Sequence, residues 1–305
     1  MKKILKWIGI VLGILLGLVI LAGVVLYSLG SARLNKTYDI QPEAIVIPSD
    51  QASLARGQHL VEALTFCKGC HGEDLSGMVF EDEPMIATFY AQNLTSGQGG
   101  AGATFSDADF VRAIRHGVDP EGRGLMIMHS NVYHNLSQGD LAAIIAYLKT
   151  VPPVDNEVPE PQVKPLGKIL VALGMFDSEA LPLIPAEVID QTAPFAEMPP
   201  QGATSDYGNY LVSITLCHMC HGPDLAGGPP LDPGMPAGPN LTPGGELGTW
   251  SESDFIQSMR TGLTPGGHKL NSDFMPWDMY SNLTDQELGA VWQYLQSLPG
   301  VSTSE

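Results

Sequence analysis

Cys67-Lys68-Gly69-Cys70-His71-Gly72 and Cys217-His218-Met219-Cys220-His221-Gly222 hold all four cysteines of this 305-residue chain, in two pairs of identical spacing. The surroundings repeat as well. Gly57-Gln58-His59-Leu60-Val61 precedes the first pair, and Gly208-Asn209-Tyr210-Leu211-Val212 precedes the second. Asp74-Leu75 and Asp224-Leu225 follow, then Asn93-Leu94-Thr95 and Asn240-Leu241-Thr242, and finally Asn135-Leu136-Ser137 and Asn282-Leu283-Thr284. The copies are offset by about 150 residues, and a duplication of motif and context together outweighs either motif alone.

Cys-x-x-Cys by itself fits a structural disulfide, a zinc site or a redox pair. The histidine after each second cysteine narrows the choice to covalent haem c attachment. Two thiols one helical turn apart can add to the two vinyl groups on one haem edge, and the next side chain then faces the iron. A redox pair would want an α/β context that the sequence lacks, and zinc would want further ligand pairs at set spacing. The expected cofactor is therefore two haem c groups, held by Cys67, Cys70 and His71 and by Cys217, Cys220 and His221.

The opposite face of each iron needs its own ligand. In the second copy the candidate is Met275, in Phe274-Met275-Pro276-Trp277, 54 residues after His221 and eight before Leu283. Eight residues before Leu136 stands Met128, 57 after His71. The rivals in the first copy are Met126, His116, His129 and His134. Met85, Met235 and Met279 have no counterpart at the counted place. Methionine opposite histidine raises the reduction potential and suits electron transfer, although most methionines only fill cores. Arg115 and Arg260, and Asn93 and Asn240, are equivalent pairs that could bind haem propionates; the plainer reading of the arginines is a solvated helix end. Phe105 and Trp250 would pack on the macrocycle or fill the core.

Helix starts are marked by Ser106 with Asp109, Ser137 with Asp140, Ser251 with Asp254 and Thr284 with Glu287. Leu141, Ile144, Ile145 and Leu148 then give one apolar face, as do Leu288, Val291, Trp292 and Leu295. Gly- and Pro-rich loops lie between, and no strand pattern stands out. The expected organisation is an apolar anchor at 1–30, a tether at 31–53, a first module at 54–151, a Pro-rich connector at 152–205 and a second module at 206–300. Within the connector, Leu166 to Phe176 reads as a short amphipathic helix.

Ile4 to Leu29 is almost wholly apolar and long enough to span a bilayer. Lys2, Lys3 and Lys6 would keep its start in the cytoplasm and place the rest outside, on the periplasmic side. The rival is a cleaved signal peptide with Gly30-Ser31-Ala32 as its site, but the apolar run exceeds the usual length of such segments. The net charge is −18, and beyond those lysines 12 basic residues face 33 acidic ones, a balance of −21. Such a chain is a poor partner for nucleic acid and attracts basic protein surfaces.

On both Cys-x-x-Cys-His motifs, both Asn-Leu-Thr segments, the Met275-Pro276-Trp277 loop and the connector Pro152-Pro153-Val154-Asp155-Asn156-Glu157-Val158-Pro159, the sequence resembles membrane-bound two-haem members of the class I cytochrome c superfamily. In particular it is similar to the cytochrome subunits that accompany bacterial membrane dehydrogenases. The resemblance runs from Leu54 to Pro299. It implies an all-α fold of two tandem class I cytochrome c domains and an electron relay between a dehydrogenase or quinol-oxidising complex and a downstream acceptor, with no substrate chemistry of its own. The first copy departs from the pattern at Met128-His129, where Met-Pro is expected, and dehydrogenase cytochrome subunits often carry three haems where this chain offers two sites. The alternatives are a two-haem peroxidase, which needs one open iron site with a nearby acid or base, and the two-haem subunit of a terminal oxidase.

Overall fold

The computed structural model describes residues 2–178, 181–231 and 234–302. An N-terminal helix, α1 (Lys2–Leu34), leads into the first copy: α2 (Gln51–His59), α3 (Cys67–His71), the hairpin of β1 (Met78–Glu83) and β2 (Ala87–Ala91), then α4 (Ala101–Thr104), α5 (Asp107–His116), α6 (Ser130–Tyr133) and α7 (Gln138–Leu148). The connector adds β3 (Gln162–Val163) and α8 (Pro165–Ala172). The second copy comprises α9 (Ser205–Ile214), α10 (Cys217–His221), α11 (Glu252–Thr261), α12 (Trp277–Tyr280) and α13 (Asp285–Ser297).

Each copy is closed by its first helix crossing its last, α2 on α7 and α9 on α13. The repeated glycine makes the crossing possible. A Cβ on Gly57 would lie 1.9 Å from the Ala143 carbonyl oxygen, and one on Gly208 1.9 Å from that of Ala290. The helix starts read from the sequence are present. Ser106, Ser251 and Thr284 form reciprocal capping boxes with Asp109, Asp254 and Glu287. Ser137 accepts the Asp140 N–H, but the Asp140 carboxylate reaches elsewhere.

The strands correct the expectation of helices and loops alone. β1 pairs antiparallel with β2 through a bulge between Val79 and Glu81, and β3 extends the sheet from the connector. β1 is exposed at all six positions, so it carries no alternation for a sequence reading to find. The fold is mostly helical with this one small sheet.

The proline-rich segment lies along the first copy. Its α8 packs against α1, where a Cβ on Gly30 would lie 1.8 Å from the Lys168 carbonyl oxygen. Arg33 locks the junction, bonding Asp177 at 2.6 and 2.8 Å and Glu187 at 2.7 Å. Residues after Leu34 are fastened too: the Tyr38 N–H donates to Gly122 at 2.7 Å, and Glu43 reaches His116 at 2.9 Å.

The two copies share one apolar core. Across their boundary runs a buried polar network. Arg56 bonds Asp140 at 2.8 Å and Glu287 at 3.2 Å, His59 meets Glu287 at 2.8 Å, and the Tyr210 hydroxyl donates to Asp140 at 2.7 Å. Burial alone would raise the Glu287 carboxyl, but His59 and the Thr284 N–H outweigh it and bring it to about 2. Burial likewise opposes the Arg56 charge, yet Asp140 holds the guanidinium protonated well above its usual range.

Two outcomes follow. Gly57→Ala or Gly208→Ala forces a crossing helix outward and should cost about 1–3 kcal/mol of unfolding free energy, read by thermal denaturation of the haem-loaded chain. Because the Glu287 carboxyl titrates lower folded than unfolded, its contribution is complete above its ordinary range and is lost as pH falls towards 2. Glu287→Gln should therefore be less stable than the parent at neutral pH, with the gap closing in acid. Denaturant titrations from pH 7 to pH 2 that show a constant gap would remove the ion-pair explanation.

Candidate haem-binding sites

In each copy the Cys-x-x-Cys-His segment winds into one helical turn, α3 or α10, that ends at a glycine in the left-handed region, Gly72 (φ 85°) or Gly222 (φ 80°). The chain then doubles back, with the Gly77 N–H donating to the His71 carbonyl at 2.8 Å and Gly227 to His221 at 2.9 Å. The turn is held by a strained residue in both copies. Leu75 (φ 61°) and Leu225 (φ 58°) are buried leucines with positive φ, a conformation that costs on the order of 1–3 kcal/mol and persists only where packing enforces it.

That turn fixes the histidine of each motif. His71 Nδ1 lies 2.6 Å from the Gln92 carbonyl oxygen and His221 Nδ1 lies 2.8 Å from that of Pro239. A carbonyl only accepts, so Nδ1 carries the proton and Nε2 keeps its lone pair. Burial lowers both imidazoles below their ordinary range, more than the carbonyls raise them, so both rings are neutral at neutral pH. The first cysteine of each pair touches a threonine: Thr65 Oγ1 lies 3.2 Å from Cys67 Sγ and Thr215 Oγ1 3.1 Å from Cys217 Sγ. Burial raises all four thiols, Cys70 to about 12. Thiolate metal sites and thiol–disulfide catalysts need the opposite shift. Among the described residues no three His, Cys, Asp or Glu side chains converge, which counts against zinc.

In the first copy these groups open onto a cavity of about 670 Å³, lined by Cys67, Cys70, His71, Phe105, Met128 and Tyr133 among others, mostly apolar. Its size and lining suit a large flat apolar cofactor, and neutral His71 at the wall suits the iron. Met126, Met128 and His129 all border it. They differ in what they pack on. Met128 rests on the core shared by both copies, as Met275 does, whereas Met126 rests on a separate cluster with Phe89, Val118 and Ile184. The backbone at the two methionines matches: the Met128 carbonyl accepts the Ser130 N–H at 2.7 Å, and the Met275 carbonyl accepts the Trp277 N–H at 2.6 Å.

The departure at His129 has a local account. His129 (φ −74°, ψ 41°) and Pro276 (φ −72°, ψ 56°) occupy the same backbone place ahead of α6 and α12, so histidine adopts the angle that proline has built in. The His129 ring packs edge-on to Tyr133, 6.4 Å between centres, and burial lowers its pKa to about 4. His116 places its ring nitrogens against Gln191 at 2.7 Å and Glu43 at 2.9 Å, and His134 places Nδ1 3.1 Å from the Arg115 carbonyl; neither lines the cavity.

The paired arginines and asparagines have partners within the protein. Arg115 is fully buried, donates to the carbonyls of His134 and Ala193 at 2.5 and 2.7 Å, and stacks on Phe195 at 4.1 Å. Arg260 likewise bonds the Ser281 carbonyl and Asp285. Asn93 accepts the Thr95 N–H at 2.9 Å and donates to Val154 at 2.8 Å; Asn240 accepts the Thr242 N–H at 2.8 Å and donates to Val301 at 2.6 Å. The two asparagines latch the segment that follows each last helix, and the arginines tie the turn ahead of that helix.

Three supporting pairs escaped the sequence reading: the carbonyls of Gln92 and Pro239, Thr65 with Thr215, and Tyr133 with Tyr280. The Tyr133 hydroxyl accepts the N–H of Phe66, next to Cys67, at 3.1 Å. Each pair has a signal in the repeat. Gln92 and Pro239 stand immediately before Asn-Leu-Thr, the threonines two residues before the first cysteine, and the tyrosines three before Leu136 and Leu283.

The cytochrome c family model matches residues 54–152 and again 205–299. The chain is 28% identical over 273 residues to the fructose dehydrogenase cytochrome subunit of Gluconobacter japonicus, covering 83% of this chain and 54% of that protein. It is 27% identical over 289 residues to the cytochrome c subunit of a quinone-dependent alcohol dehydrogenase of Gluconacetobacter polyoxogenes, covering 84% and 58%. The same identity and length hold for the gluconate 2-dehydrogenase cytochrome c subunit of Pantoea cypripedii, with 84% and 62% covered. The chain thus spans somewhat over half the length of these relatives. Both stretches that the family model matches are those in which a cysteine-bearing turn presents a neutral, carbonyl-held histidine, and the chain belongs to the cytochrome c family.

Proposed function

We propose that the chain is a two-haem c-type cytochrome that relays electrons at the outer face of the cytoplasmic membrane, as the cytochrome subunit of a dehydrogenase or quinol-oxidising complex. The observation that carries this reading is the duplicated site: in each copy an imidazole fixed through Nδ1 to a backbone carbonyl, beside two cysteines at thioether spacing. Haem c, when bound, supplies one-electron chemistry at the iron. The protein's part is to hold it. Cys67, Cys70, Cys217 and Cys220 attach it, and His71 and His221 present Nε2. Met128 and Met275 fill the opposite side, supported by their matched turns and their shared core. A methionine in both copies favours electron transfer over peroxidase chemistry, which would need an open iron.

Partners follow from charge and from α1. The acidic surface suits a redox protein with a basic docking face. Lys2, Lys3 and Lys6 in the first turns of a 33-residue helix that is apolar beyond them suit a single membrane span with the haem modules outside. The relatives are cytochrome subunits of fructose, alcohol and gluconate dehydrogenases, which supports a dehydrogenase as donor.

Changing Cys67 and Cys70 together to Ala should remove one of the two haems and leave the other. Pyridine haemochrome stoichiometry against protein mass measures this, and an unchanged ratio refutes the first site. Met275→His should keep its iron low-spin, lower that haem's potential within the roughly 0.8 V range that axial ligands command, and abolish its weak near-infrared absorption. Met128→His should do the same to the other haem. If Met128→His changes nothing while Met126 or His129 variants do, the counted position is not the ligand.

A further inference from the structure

Outside α1, exposed large apolar side chains are spread over the surface, from Val46 to Val301, and two of them, Met85 and Leu166, sit where the end of the β1–β2 hairpin meets the start of α8, beside α1. Met85 at the hairpin end is 73% exposed and Leu166 at the start of α8 is 41% exposed. The two are fixed together. The Lys164 N–H donates to the Ile86 carbonyl at 2.9 Å, the Lys164 ammonium donates to the Pro84 carbonyl at 2.6 Å, and a Cβ on Gly167 would lie 2.2 Å from the Ile86 oxygen. These contacts make Met85 and Leu166 one apolar projection, a knob whose direction is set by the fold.

The position of the knob says what it meets. Trp7 and Tyr27 stand 20 residues apart on α1, about 30 Å along the axis, which is the thickness of a hydrocarbon core. Aromatic residues of this type mark both boundaries of a span. The outer boundary then falls at Tyr27. The Lys168 ammonium lies 5.1 Å from the Tyr27 ring centre, and α8 touches α1 at Gly30 and, one turn on, where Arg33 donates to the Val171 carbonyl at 3.2 Å. The helices therefore run the same way past this point, and the start of α8, with Leu166 and the hairpin end, lies on the membrane side of Lys168. Arg33, gripped by Asp177 and Glu187, stands about 9 Å beyond the boundary and prevents the knob from swinging away.

We infer that Met85 and Leu166 form a second membrane contact, seated in the lipid at the outer boundary beside α1. The occupant is the bilayer itself, because the knob is continuous with the span. Lys164 and Lys168 lie at headgroup level with their stems along apolar surface. The contact orients the first copy, whose cavity is bordered by Leu34, Asn35 and Lys168, so that its cavity opens close to the membrane. The inference rests on α1 being a span, and the test separates the two.

Single Val19→Cys, Met85→Cys, Leu166→Cys and Leu263→Cys variants of the haem-loaded full chain, whose native cysteines are consumed as thioethers, are placed in phosphatidylcholine vesicles. Each is treated with a membrane-impermeant maleimide and, separately, with a small lipid-soluble one. Thiol labelling needs a hydrated thiolate, so lipid-seated positions should label with the impermeant reagent about tenfold more slowly than Leu263→Cys. The expected result is protection of Val19→Cys, Met85→Cys and Leu166→Cys, all of them modified by the lipid-soluble reagent. If Val19→Cys is protected while Met85→Cys and Leu166→Cys label as fast as Leu263→Cys, the second contact is refuted and the span stands. Rapid labelling of Val19→Cys refutes the span and the contact with it.

Discussion

Two helices crossing at carbonyl contact govern the rest of this structure. At Gly57 on Ala143, and again at Gly208 on Ala290, there is no room for a Cβ. That closeness draws the first and last helices of each copy together and leaves the intervening loops to wrap one side. The cysteine-bearing turn follows the first helix within eight residues, and the methionine precedes the last helix by one short helix, α6 or α12. Both edges of the site are thus set by the same crossing, and a displacement of one helix would be felt at the cavity wall.

The loops could not hold such a site through packing alone, because they are rich in glycine and proline and bury little. They are pinned by hydrogen bonds from the backbone and from short polar side chains. Asn93 and Thr95 grip Val154, and Asn240 and Thr242 grip Val301, so each last helix is followed by a strap that closes over the loop. The strained leucines Leu75 and Leu225 belong to the same logic. Their backbone cost is tolerated because it turns the chain beneath the histidine and leaves a carbonyl aimed at Nδ1.

The copies are alike in their sites and different in their surroundings. The first is enclosed by the segment after α1, by the sheet and by the connector, with Arg115 buried among carbonyls and stacked on Phe195. The second lacks that wrapping among the described residues, and its Arg260 pairs with Asp285 at a more open surface. Between them, Arg56, His59, Asp140, Tyr210 and Glu287 join the copies in a buried network in which each carboxylate has more than one partner. Such a network fixes orientation more than it adds stability, since removing any one member strands the others.

Features that rest on short spacing were legible in the order of residues alone. The Cys-x-x-Cys-His turns, the capping boxes at Ser106, Ser251 and Thr284, the apolar faces of α7 and α13 and the duplication follow from residues within a few positions of one another, or from direct comparison of two copies. The Gln92 carbonyl, the Thr65 contact and Tyr133 were readable in that comparison too, but as backbone or commonplace groups they carry no chemical label. The protein partners of Asn93, Arg115 and Arg260 came into view with the three-dimensional arrangement, because Val154, Ala193 and Asp285 stand tens of residues away along the chain. That arrangement alone supplied the β1–β2–β3 sheet, whose first strand has no buried face, and the course of the connector, whose prolines fix local angles but not direction. A residue's type fixes what it can bond; which partner comes within 3 Å depends on chain segments brought together across long separations, and that leaves no period in the sequence.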